Sequence, residues 1–256
     1  MTTEVHWNRL TASELNDRAK ADAIVLLPVA SVEQHGPHLG TGVDMFLAAE
    51  GCRRTAEIVA KSRAIVVAPT VWMGLAEHHV AYGGTFTLSI TTYHALLRDL
   101  CRSILRAGFK KILIVNGHGG NIAALNALAT DLAQELDAPI AVTTLYNLAH
   151  EKGAYKAILE DQEGVRHACE AETSMMMTVA PDCVRKDKIK DAHGALTATR
   201  GLGVMSAINV WRSFKELTPS GVIGDARKAT PEKGEKLFDT AAELLAVELL
   251  KGAPWA

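Results

Sequence analysis

Close cysteine pairs are missing from this chain. Its four cysteines stand at 52, 101, 169 and 183, so no C-x-x-C motif exists for thioredoxin chemistry or a four-thiolate zinc site. No apolar run reaches membrane-spanning length, which excludes a helical membrane protein. A basic surplus is also lacking: 27 Lys and Arg face 29 Asp and Glu, a formal net charge of −2 with a pI near 6.6. That balance argues against binding nucleic acid by neutralising phosphates. No block of like charges marks a solvated tail. The start, "MTTEVHWNRLTASELNDRAKADA", lacks the basic-then-apolar pattern of a secretory signal, and the expected location is the cytoplasm. Repeats, low-complexity tracts and clear linkers are absent, so a single domain over 1–256 is expected. What remains is an ordinary globular balance, 48% apolar and 22% charged over 256 residues, enough for a substantial core without staples.

Apolar runs of strand length alternate with helix-like segments. "AIVLLPVA" (23–30), "AIVVAPTV" (64–71), "KKILIVNG" (110–117) and "PIAVTTLYN" (139–147) read as strands. Helices are expected from Met45 to Lys61 with Asp44 as N-cap, from Thr92 to Ala107 with Gly108 as C-cap, from Asn121 to Leu136, and over 231–251. Repeated strand–helix–strand order implies a mostly parallel sheet with helices on both faces. "RGLGV" and "SGVIGDARKATPEKGEKL" read as glycine-rich loops leading to the last helix.

Ligands in such sheets bind beyond the carboxyl ends of strands, and three polar clusters obey that rule. "SVEQHGPHLGTGVD" after the first strand offers Glu33, His35 and Asp44, residue types that divalent zinc, manganese or iron accept. Glu33 and His35, two apart, point the same way from an extended segment. Asp44 can return to the same place and bridge two ions. His38 reads as a supporting loop residue. "NGHGGN" after the third strand brings His118, and Gly119 beside it allows close approach to a substrate. It matches neither a dinucleotide nor a P-loop fingerprint. "GLAEHH" after the second strand offers Glu77, His78 and His79. Glu77 and His78 are the expected substrate contacts, with one of the adjacent histidines structural. Later, "HACEAETS" gathers His167, Cys169, Glu170 and Glu172, either glutamate being able to add negative charge to a two-ion site.

These segments, in order, resemble the creatininase (creatinine amidohydrolase) family, and the resemblance runs from about 20 to 250. It extends to "GLAEHHVAYGGTFTLS" and "SGVIGDARKATPEKG". It implies a three-layer α/β/α sandwich, two divalent metal ions per chain (zinc first, manganese or iron(II) as alternatives) and a homohexamer. By motif position Glu33, His35, Asp44 and His118 are implied metal ligands, Asp44 bridging, and His167 the acid–base residue. Creatininase carries a glutamate ligand two residues after its third-strand histidine, where this chain has Gly120; the expected replacement is Glu172, with Glu170 second. Creatininase packs its substrate on tryptophans near the later motif. "DQEGVRHACE" has none, and only Tyr146 and Tyr155 lie nearby. The implied activity is hydrolysis of a small cyclic amide or related C–N substrate, with carbocyclic ring opening of a keto-inositol (3-dehydro-scyllo-inosose type) as the alternative. A Cys169–His167 enzyme lacks an orienting partner for the histidine. A non-catalytic binding protein would show a broken ligand set.

Overall fold

The computed structural model describes residues 3–197 and 210–255; "RGLGV" lies outside them. The elements in chain order are α1 (Ala12–Lys20), β1 (Ile24–Val29), α2 (Val43–Val59), β2 (Ile65–Val67), α3 (Ile90–Arg106), β3 (Lys111–Asn116), α4 (Ile122–Leu136), β4 (Ile140–Thr144), α5 (Asn147–Glu151), α6 (Glu170–Val179), β5 (His193–Gly194), α7 (Phe214–Leu217), β6 (Gly224–Asp225) and α8 (Pro231–Lys251). Four strands form a parallel sheet in the order β2-β1-β3-β4. The short β5 and β6 pair antiparallel apart from it.

Alternation along the strands builds two cores. Ile24, Leu26, Ile65, Val67, Leu113 and Val115 face the apolar sides of α2, α6 and α8. Val25, Leu27, Val29, Val66, Ile112 and Ile114 face α3 and α4, with α1 packed at the margin. All of β1 is buried, as a strand covered on both faces must be. The result is the three-layer α/β/α sandwich.

Several boundaries differ from the sequence reading. β2 stops at Val67 because Pro69 has no N–H to continue the ladder; pairing resumes only as a bridge from Val29 to Val71. Pro28 is tolerated within central β1 for a related reason. Its carbonyl accepts from Val71 N at 2.9 Å, so its nitrogen also faces the β2 edge, where the ladder has already lapsed. α3 begins two residues before Thr92, capped by Ser89, whose Oγ accepts from Thr92 N at 3.2 Å. Its C-cap is Ala107, and Gly108 follows at φ +92°. α2 begins at Val43 with Gly42 as N-cap. Asp44 is thus inside the first turn rather than capping it, because its carboxylate is engaged elsewhere. α8 starts as expected: Thr230 Oγ1 accepts from Lys233 N at 3.2 Å, with Pro231 at the first position.

The strand order creates a crevice. From β1 the chain crosses to β2 on one side, and from β3 it crosses to β4 on the other. The carboxyl ends of neighbouring β1 and β3 therefore open between diverging connections, the usual place for a ligand.

Candidate metal centre

The loop after β1 is folded back on itself. Glu33 N donates to Thr41 O at 2.9 Å, and Gly40 N to Cys183 O at 3.0 Å. His38 is buried beneath the loop, its Nε2 2.7 Å from Thr173 Oγ1 on α6. This closure returns Asp44 to Glu33 and His35. His118 arrives from the end of β3, and Glu172 from the first turn of α6.

Asp44 stands between two donor sets. Its Oδ1 lies 3.2 Å from His35 Nε2, which is 3.7 Å from Glu172 Oε2. Its Oδ2 lies 3.0 Å from His118 Nδ1, which is 3.1 Å from Glu33 Oε2. The other ring nitrogens are tied down: His35 Nδ1 donates to Glu33 O at 3.1 Å, and His118 Nε2 to Leu75 O at 3.2 Å. Each imidazole therefore aims one nitrogen at the carboxylates, the arrangement that orients metal-binding histidines. Among the described residues, Glu33 Oε2, His35 Nε2 and Asp44 Oδ2 are buried without an aligned hydrogen-bond partner. Such groups cost roughly 1–3 kcal/mol each or more when charged, and a divalent cation satisfies all three. The residues fit the metal.

The electrostatics agree. Burial raises Glu33 above the usual carboxylate range and pushes Glu172 up to about 8. Burial also works to raise Asp44, but the charge of His35 and hydrogen bonds from His118 and His35 hold it below its ordinary value. Burial opposes protonation of His35, yet Asp44, Glu172 and Glu33 raise it to about 9. His118 is likewise raised well above its ordinary value against burial, by Glu33 and Asp44. In the metal-free protein, protons neutralise a cluster built for cations.

His167 sits at the edge of the cluster, its Nδ1 3.6 Å from Glu33 Oε1 and its Nε2 2.8 Å from Gln34 O. Burial and the charge of His35 keep it neutral, well below its ordinary value. Ala168 next to it adopts φ +53°, uncommon for a residue with a Cβ. That turn lets Ala168 N donate to Glu172 Oε2 at 2.6 Å, so His167 and Glu172 both reach the site. Cys169 does not: it is buried away from the cavity, receives hydrogen bonds from Gln162 Nε2 and Arg166 N, and burial pushes its thiol up to about 11. A thiolate nucleophile is excluded there. Its φ of −87° needs no glycine.

Glu170 and Glu172 part company. Glu170 is buried against Lys233 Nζ at 2.6 Å and the backbone nitrogen of Glu160, so it stays outside the centre. Gly120 cannot hold a side chain without rearrangement, since a Cβ there would lie 2.4 Å from His118 Nε2 and 2.5 Å from Leu75 O. Glu172 instead reaches the cluster, its Oε2 3.7 Å from His35 Nε2.

A cavity of about 470 Å³ opens over the cluster, lined among others by His78, Gly119, Tyr146, Arg166, His167 and Phe214. His78 and Gly119 are where a substrate contact would be. Glu77 is not: it is exposed and outside the lining, because the short 3-10 helix Glu77–Tyr82 turns His78 and His79 inward and leaves Glu77 on the solvent side. His79 takes the supporting role expected of one of the adjacent histidines, and Phe214 is a contributor that escaped the sequence reading. His79 is buried with Nε2 3.2 Å from Glu33 Oε1, and its Nδ1 accepts from Gln34 Nε2 at 2.9 Å, so it orients the Glu33 carboxylate. Phe214 packs its ring against His78, His79 and His167 at 4.5–5.7 Å between centroids. The doubled histidine was a visible signal for His79; nothing in the sequence marked Phe214.

A buried carboxylate–imidazole cluster at the switch point of a parallel sheet is the donor chemistry of a metallohydrolase. Residues 8–249 match the creatininase family, creatinine amidohydrolase, and the chain belongs to it. It is 30% identical over 217 residues to a mycofactocin precursor peptide peptidase of Mycolicibacterium smegmatis, covering 84% of this chain and 79% of that one. With the creatinine amidohydrolase of Pseudomonas putida it shares 27% over 265 residues, 96% of each. The fold is that of a solved creatininase (TM-score 0.82, 23% identity, covering 98% of this chain and 99% of that one). Solved creatininases include a manganese form and a zinc–zinc form. The chain is a creatininase-family hydrolase. Among the described residues no helix is long and apolar enough to cross a membrane.

Proposed function

We propose that the protein is a two-metal amidohydrolase in which Asp44 is shared between one ion held with His35 and Glu172 and a second held with Glu33 and His118. The supporting observation is the pair of donor sets meeting on opposite oxygens of one buried carboxylate. Zinc leads, and manganese or iron(II) suits the same mixed oxygen and nitrogen donors. Bound there, divalent ions supply Lewis-acid polarisation of a carbonyl and lower the pKa of water.

The chain's own groups do the rest. His79 holds the Glu33 carboxylate in place. His167 keeps its Nδ1 lone pair towards the centre when Nε2–H donates to Gln34 O. The Gln34 amide nitrogen also lies 2.9 Å from that Nε2, so the ring finds a partner in either tautomer. A neutral imidazole so held can take a proton from the nucleophile and deliver it to the departing amide nitrogen. Phe214 shields the imidazoles from water. Two of the relatives are by name a peptidase and an amidohydrolase, which supports an amide as the bond cleaved. A small cyclic amide suits the cavity, and a homohexamer is the assembly proposed.

Metal analysis of the purified protein, then a screen of cyclic amides and formamides with and without chelator, tests this reading. About two ions per chain and chelator-sensitive hydrolysis are expected. Stoichiometric metal-free protein retaining full hydrolysis would refute it.

A further inference from the structure

The cavity contains donors that the metal centre does not use. Arg166 lines it from the residue preceding His167, and among the described residues no carboxylate or carbonyl receives its guanidinium. Tyr146 lines it too; the residue is 7% exposed, and among the described residues its buried hydroxyl has no hydrogen-bond partner. The unpartnered acceptors, Glu33 Oε2 and Asp44 Oδ2, belong to the metal sets. Once cations take them, the cavity keeps a guanidinium and a buried hydroxyl, both able to donate.

Charge points the same way. Two dications would be balanced by the carboxylates of Glu33, Asp44 and Glu172 together with one hydroxide, so the guanidinium of Arg166 is the positive charge left over in the lining. The Tyr146 hydroxyl, buried and without a partner among the described residues, offers one more donor. A neutral, donor-rich substrate would leave these groups unmatched. A planar anion with several acceptor oxygens satisfies them, and guanidinium recognises a carboxylate through paired N–H donors.

We propose, building on the two-metal reading above, that the substrate carries a carboxylate close to the scissile amide, with Arg166 as its counter-ion and the Tyr146 hydroxyl as a further donor. The protein would then select acidic amides over neutral ones of the same shape. Specificity of this kind comes from the donors left unpaired by the wrong ligand.

The test uses a matched pair of cyclic amides, dihydroorotate with a carboxylate and dihydrouracil without one. Calorimetry measures the binding of each to manganese-loaded full-length protein, wild type and R166Q, and turnover is followed in parallel. Wild type is expected to bind the acid about 10–100-fold more tightly, the range of a charge-assisted hydrogen-bonded pair. R166Q should bring that ratio close to one with its metal content unchanged. Arg166 is exposed, so the variant is expected to fold. Y146F should weaken binding of the acid by a smaller factor at the same metal content. Equal or undetectable binding of the two by wild type, or a ratio unmoved by R166Q, overturns the proposal. A preference present in binding but with no hydrolysis of any amide would instead count against the hydrolase reading and leave the carboxylate assignment standing.

Discussion

Replacing Glu172 and Glu170 in turn by glutamine should give opposite results, although the two share one helical turn. Glu172 is buried beside Asp44 and Glu33, and burial pushes it up to about 8 from an ordinary 4.5. A carboxyl with a raised folded pKa keeps its proton while the unfolded chain loses it. Stability therefore falls as pH rises from about 4.5 to 8. At pH 7 the gap of about 2.5 pH units corresponds to about 3 kcal/mol. Glutamine removes that penalty, so metal-free E172Q should melt about 6–12 °C higher than wild type at pH 7. Near pH 4 the two should coincide. The same variant should bind one ion per chain instead of two, having lost the carboxylate of the His35 set. E170Q should keep both ions and lose stability. Lys233 would lose a 2.6 Å partner and keep Glu160 at 2.6 Å and the Lys228 carbonyl at 2.8 Å, a loss of about 2–3 kcal/mol, below the usual range for breaking a buried pair. Thermal melts of chelated protein at both pH values, with metal analysis of the loaded forms, read all of this. Loss of an ion from E170Q but not from E172Q, or a lower melting point for metal-free E172Q at pH 7, would refute the assignment.

H167A should retain its metal and lose about 10²–10⁴-fold in kcat, measured by turnover alongside metal content. Metal uptake should release protons, because His35 at about 9, His118 well above its ordinary value and Glu172 at about 8 must all give one up. Affinity should therefore rise with pH; calorimetry in buffers of different ionisation enthalpy counts the protons, and proton-neutral uptake would contradict it. G120A should displace His118 from Leu75 O, since its Cβ would lie 2.4 Å from His118 Nε2. Denaturant melts should show a loss of about 1–3 kcal/mol, and metal analysis a weakened Glu33–His118 set.

The sheet was legible because β1 and β3 are near-continuous runs of branched apolar residues, and parallel strands covered on both faces leave no other pattern. The position of the cluster followed from strand order alone. Spacing along the chain could not decide between Glu170 and Glu172, because both lie in the first turn of α6; only the approach of Lys233 from α8, more than sixty residues away, claims one of them. Asp44 read as a helix cap because aspartate before a helix usually is one, and tertiary pairing with His35 and His118 overrides that preference. Glu77 read as a contact by its company, but one turn of 3-10 helix sends it to solvent while burying its neighbour but one. Phe214 sits in a stretch without periodicity, and its role exists only through the imidazoles it covers.

Gly234 lies where α8 crosses α6 so closely that a Cβ would come 2.2 Å from Ser174 O. The backbones of the two helices touch, and α6 carries Glu172 on its first turn. The crossing acts as the jaw of a caliper: it fixes where the first turn of α6 holds the Glu172 carboxylate. A helix that lends no side chain to the carboxylate–imidazole cluster thus helps set its geometry.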